Sequence, residues 1–101
     1  MGNVIPLDRR RGSEPEPLWR QAVGEQLREE RRRRKERIAD VARRAGVSPQ
    51  YLSELERGRK DPSSEVLSAV SGALGLTVLT LAERSARRLG DGLRGPVCLA
   101  A

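Results

Sequence analysis

Between Ile38 and Arg57 lie two short amphipathic stretches with only Ala45-Gly46-Val47-Ser48 joining them. In the first, Ile38, Val41, Ala42 and Ala45 recur at the spacing of one helical stripe, and Gly46 follows as the residue type that ends helices in the left-handed conformation. Ser48-Pro49 then reads as an N-cap with proline at the first helical position, so another helix starts almost at once. In that second stretch Leu52 and Leu55 face inward with Tyr51 beside them. Gln50, Ser53, Glu54 and Arg57 take the opposite face, and Gly58 ends the helix. A joint this tight does not allow antiparallel packing, so the two helices must cross.

The remaining chain reads as helices around this pair. Residues 1–17 contain Pro6, Pro15, Pro17 and an Arg9-Arg10-Arg11 triplet, form no periodic face, and are expected to be a flexible arm. After Pro17, Trp19, Val23 and Leu27 recur every fourth residue, and Arg31 falls next on that stripe. A guanidinium there either snorkels at the helix end or is buried against a carboxylate. Ser63 caps a fourth helix with Glu65 in its first turn and Val66, Leu67, Val70, Ala73 and Leu74 as its buried stripe. A fifth is expected from about Val78 to Arg88, burying Val78, Ala82, Ala86 and Leu89. Beyond that stripe Leu79, Leu81 and Leu89 would offer a dimer surface. Gly90, Gly92, Gly95 and Pro96 predict a loose tail over 90–101. The expected fold is therefore all-α, five helices over 18–89 between flexible N- and C-terminal tails.

Composition narrows the chemistry. A chain of 101 residues is one small domain, and with no His and a lone Cys98 it lacks His-based acid–base chemistry, Ser-His triads and the usual zinc ligand sets. No enzyme, metal or cofactor is expected. The longest mostly apolar stretch, Ala73 to Ala82, is far short of the roughly 20 residues of a membrane span, so the reading is a cytoplasmic protein with no membrane partner. The net charge of +6 is concentrated: residues 18–35 carry seven bases against three acids. Such a run is either a solvated helix face or a contact with a polyanion.

The crossing pair decides between them. It has the helix-turn-helix layout, in which the first helix braces across the phosphate backbone and the second presents its outer face to the major groove. The string Ala42-Arg43-Arg44-Ala45-Gly46-Val47-Ser48-Pro49-Gln50-Tyr51-Leu52-Ser53-Glu54-Leu55-Glu56-Arg57-Gly58, followed by Arg59-Lys60-Asp61-Pro62-Ser63, resembles the DNA-binding domain of Cro/C1-type (Xre, lambda-repressor-like) regulators. Val23-Gly24 with Leu27, Arg28 and Arg31 resembles that family's first helix, and the likeness covers roughly residues 18–83. Within the family, Ser53-Glu54-Leu55-Glu56-Arg57-Gly58-Arg59-Lys60 and Ser63-Ser64-Glu65 most resemble the actinobacterial ClgR/PopR-type regulators of Clp protease genes. One departure is that Arg37 and Ile38 stand where many members open the second helix with Thr or Ser and then Gln.

The resemblance implies a transcription regulator, an activator of Clp protease or stress genes, bound to double-stranded DNA. Gln50 falls at a family base-contact position, and its amide suits adenine N6 and N7. Glu54 could accept from cytosine N4 or pair locally with Arg57 or Arg28; Ser53 and Pro49 are further base-reading candidates. Arg37, Arg43, Arg57, Arg59 and Lys60 are the expected phosphate contacts, Arg37 as a charge in place of the missing amide. The family likeness makes Arg31 and Glu56 a partly buried ion pair bracing the first and third helices. One reading helix touches only a few base pairs, so a homodimer on a near-palindromic site is expected, with reading helices about 34 Å apart. The terminal Leu99-Ala100-Ala101 resembles a Clp protease degron, which would make that protease a partner. The competing reading is an antitoxin-type protein-binding module with secondary DNA autoregulation.

Overall fold

The computed structural model describes residues 18–100, with side chains to Asp91. The expected arm, Ala101 and the side chains of Leu99 and Ala100 lie outside that description. Five helices follow in order: α1 Trp19–Arg33, α2 Ile38–Ala45, α3 Pro49–Glu56, α4 Ser64–Ala73 and α5 Val78–Ala100. No strand occurs among the described residues.

Local chemistry sets the boundaries. The Leu18 amide donates to Gln21 Oε1 at 3.0 Å, closing the start of α1. Gly46, at φ 76°, ends α2, with its amide and that of Val47 donating back to Arg43 and Ala42 carbonyls at 3.2 and 3.0 Å. Ser48 Oγ accepts from the Tyr51 amide at 3.0 Å, and Ser63 Oγ accepts from Val66 at 3.2 Å, so both serines cap as expected. Arg37 sits at the N-cap of α2 without a side-chain cap bond.

The core is Val23 and Leu27 of α1, Val41 and Ala42 of α2, Leu52 and Leu55 of α3, Val70 and Leu74 of α4, and Leu81 of α5. Burial of each of these Val and Leu side chains contributes on the order of 2 kcal/mol, and of the Ala42 methyl less than about 1 kcal/mol. Trp19, expected on the inward stripe of α1, is 40% exposed at the helix start.

The fifth helix differs from its sequence reading in two respects. Its buried line is Leu81 and Ser85, whereas Val78 is 39% exposed and Ala86 is also exposed. Leu81 therefore belongs to the core and is not available to a partner. Besides burying Leu81, α5 meets α1 through Arg84 and Arg88, which reach Glu30 and Gln26, contacts that an apolar count does not weigh. The helix also runs on through Gly90 to Ala100, in place of the loose tail expected from 90 onward. Once the packed turns have nucleated a helix, each added residue except Pro96 gains a backbone bond, set against about 1 kcal/mol for each glycine and about 3 kcal/mol for the proline.

Candidate nucleic-acid interface

The outer flank of α3 is open. Pro49, Gln50 and Arg57 are exposed and Ser53 and Glu54 half-buried, while Leu52, Leu55 and Glu56 of the same helix point inward. Ser48 and Pro49 fix where that helix begins, so Gln50 stands in its first turn beside the exposed end of the α2–α3 joint. Glu54 pairs with neither Arg57 nor Arg28. Its Oε1 lies 3.7 Å from Lys60 Nζ, so the carboxylate and one expected phosphate contact are already neighbours.

Of the expected phosphate contacts, Arg57 stands at the end of α3, Arg59 and Lys60 follow it in the chain, and Arg37 and Arg43 lie at the start and in the last turn of α2. Arg57 and Arg59 are exposed and make no ion pair among the described residues. Arg37 and Arg43 both bracket Asp40, at 3.3 and 3.2 Å, yet their side chains stay 84% and 74% exposed. Each guanidinium has five donors, so most remain open to another anion. The hydrogen bond from Arg37, then its charge, holds the Asp40 carboxyl below the usual carboxylate range.

Rigidity behind α3 comes from Arg31 and Glu56. Arg31 Nε donates to Glu56 Oε2 at 2.7 Å and Nη2 donates to Oε1 at 3.0 Å, a bidentate pair that ties α1 to α3. A third donor, Nη1, reaches the Glu36 carbonyl at 3.0 Å. The hydrogen bond to Glu56 raises the Arg31 pKa above its ordinary value, so the guanidinium keeps its charge. The Arg31 side chain, 15% exposed, thus lies half-buried against a carboxylate.

Several structural polar groups left no pattern in the sequence. Glu30 is buried against Arg33 and against Arg84, the latter at 3.2 Å. Arg88 Nε donates to Gln26 Oε1 at 3.0 Å and its guanidinium also meets Glu25 and Glu29. Arg44 Nη2 donates at 2.7 Å to the Ala73 carbonyl, one of the free acceptors at the end of α4. Arg20 joins α1 to the loop after α3. All but the Arg33 contact join residues far apart in the chain, where helical periodicity carries no signal. Among the described residues no group of three His, Cys, Asp or Glu is placed to hold a metal ion, and no single helix is long and apolar enough to cross a membrane.

Known proteins share this arrangement. The helix-turn-helix family model HTH_3 matches residues 26–81. The transcriptional regulator ClgR of Mycobacterium tuberculosis is 45% identical over 75 residues, covering 70% of this chain and 67% of the relative. The regulator DdrOP3 of Deinococcus deserti is 48% identical over 59 residues, covering 58% of this chain and 46% of its own length. The crystal structure of the clp gene regulator ClgR from Corynebacterium glutamicum is similar with a TM-score of 0.72 at 45% identity, over 75% of this chain and 81% of that one. These relatives are regulators, not enzymes. With the family model spanning more than half of the sequence, the chain belongs to the Cro/C1 (Xre) type of helix-turn-helix transcriptional regulators.

Proposed function

We propose that the protein is a sequence-specific DNA-binding regulator that lays α3 in the major groove, reads bases with Gln50, Ser53, Glu54 and Pro49, and holds its register through Arg37, Arg43, Arg57, Arg59 and Lys60. The observation that carries this reading is the open polar flank of α3, whose opposite side is locked to α1 by Arg31 and Glu56. A reading helix must be both accessible and rigidly aimed, because base contacts discriminate only when donor and acceptor meet in register.

The finer reading follows its relatives. The finer proposal is an activator of Clp protease or stress genes acting in the cytoplasm; similarity to the clp gene regulator ClgR supports clp genes as its targets. Leu79, 67% exposed, and Val78 offer apolar surface at the start of α5 for a second copy, which a near-palindromic operator would require. Light scattering on the bound duplex reads two protomers if that holds and one if it does not. The Leu99-Ala100-Ala101 segment is proposed as a Clp recognition tag; changing Ala100 and Ala101 to aspartate should lengthen the half-life in cells.

Selection from random duplexes at stated salt tests the central reading. The wild type should enrich one near-palindromic sequence, and Gln50→Ala should relax preference at one position in each half-site. Uniformly weaker binding would reassign Gln50 to the backbone. Enrichment of no sequence would reject sequence-specific binding.

A further inference from the structure

We infer that Arg20, outside the recognition helix, is a positioning residue for the basic loop that follows it, and so sets how strongly Arg59 and Lys60 engage phosphate. The inference rests on the DNA-binding reading above. Arg20 Nε donates to the Gly58 carbonyl at 3.0 Å, and its Nη1 lies 3.5 Å from Asp61 Oδ2. One guanidinium thus grips the loop on both sides of Arg59-Lys60, which are exposed between those two anchors. Planar and forked, it presents separate nitrogens to the two anchors in a fixed geometry, which a single ammonium nitrogen does not.

Besides the Glu54–Lys60 pair, at 3.7 Å, the loop has few other anchors. Gly58 turns with φ +74° and lies so close to α1 that a Cβ there would stand 2.9 Å from the Gln21 Cα. The Arg59 amide donates to the Glu54 carbonyl at 3.0 Å, closing the end of α3. Beyond it, no further backbone hydrogen bond ties Lys60 or Asp61 among the described residues. The start of α1 is therefore the platform on which the loop rests, and Arg20 is its clamp. The guanidinium also offsets the Asp61 carboxylate, an anion that would otherwise repel the phosphates Arg59 and Lys60 approach. A flexible loop would pay ordering entropy on every binding event; a clamped one is already ordered.

A double-mutant cycle on the selected duplex at low salt tests this, with Arg20→Ala made in the wild-type background and in Arg59→Ala/Lys60→Ala. Expected is about tenfold weaker binding in the first background and less than about twofold in the second, with base preference unchanged. The same factor in both backgrounds would mean that Arg20 touches DNA itself or acts on the fold at large, and no loss in either would mean that the clamp is irrelevant; both results overturn the inference. Circular dichroism melting checks folding. Should Arg20→Ala not fold, Arg20→Lys, which keeps one anchor, is read in the same two backgrounds. An intermediate loss confined to the first then supports the clamp, and equal factors overturn it. A wild type that prefers no duplex overturns the DNA reading and this inference together, and does so before any substitution is made.

Discussion

Gly24 of α1 passes so near the Leu55 carbonyl of α3 that a Cβ at position 24 would lie 2.3 Å from that oxygen and 2.8 Å from the Glu56 carbonyl. Backbone, not a flexible side chain, fills the space, so nothing can rotate aside. Gly24→Ala must push α3 off α1, and we expect a loss of about 3 kcal/mol, at the upper end for overpacking, read by urea denaturation. Because the contact sits behind the reading helix, DNA affinity should fall further than the unfolded fraction accounts for.

Next to that contact, the Arg31–Glu56 pair predicts unequal effects for its two breakages. Arg31→Ala strands the Glu56 carboxylate at a site where its side chain is 5% exposed, costing on the order of 3–5 kcal/mol. Arg31→Met with Glu56→Leu removes both charges, and the double variant should recover much of the loss. Chemical denaturation of the three proteins checks this: a double variant no more stable than Arg31→Ala would show that the Arg31 bond to the Glu36 carbonyl, not the pair, dominates.

Legibility followed the range of the interaction. Ser48, Gly46 and Ser63 mark helix ends through bonds within a few residues, and each stands where its residue type predicts. The outer flank of α3 is legible for the same reason, since Leu52 and Leu55 fix which side is inward. The inward face of α5 carries Leu81 together with Arg84 and Arg88, which reach α1 across more than fifty residues, and a count of apolar positions turned it the wrong way. Arg20 was invisible as well: its partners are a backbone carbonyl and one aspartate far along the chain, which no spacing announces.

Glu30 makes stability pH-dependent. The hydrogen bond from Arg33, then the charges of Arg33, Arg84 and Arg34, outweigh burial and hold its pKa below the ordinary 4.5. A carboxylate depressed in the folded state stabilises it above the unfolded value, and that contribution disappears as pH falls from 4.5 through the folded pKa. Glu30→Gln should therefore melt lower than the wild type at pH 7, and the gap should narrow as pH falls through that window. A gap that is constant with pH would mean the side chain acts by packing alone.

Ser71 and Ser85 are buried, and neither Oγ has a hydrogen-bond partner among the described residues. A hydroxyl so placed carries its desolvation cost without return, and alanine is also the better helix former. Ser85→Ala should raise stability by about 1 kcal/mol, and Ser71→Ala by a similar amount. Thermal melts of the two single variants and the pair test both. A fall in the Ser85→Ala melting temperature would show that the hydroxyl has a partner in solution.

Glu54 and Lys60 restrain each other beside the open flank of α3, 3.7 Å apart. The carboxylate engages Lys60 and adds a negative charge where phosphates would approach, so in its isosteric amide form the side chain should free the ammonium and remove the repulsion. For Glu54→Gln we expect tighter binding to non-cognate DNA by about tenfold at low salt and a slope of log affinity against log salt steeper by about 1, the signature of one more phosphate contact. If Glu54 also accepts a hydrogen bond from cytosine N4, discrimination at that base pair should drop by about 1–3 kcal/mol in the same variant. The two effects separate experimentally: the salt slope on random duplexes reports only the released lysine, and the ratio of cognate to single-substituted duplexes at one salt reports only the base contact. A variant that gains non-cognate affinity and keeps every base preference would assign Glu54 to restraining Lys60 and remove it from the reading surface.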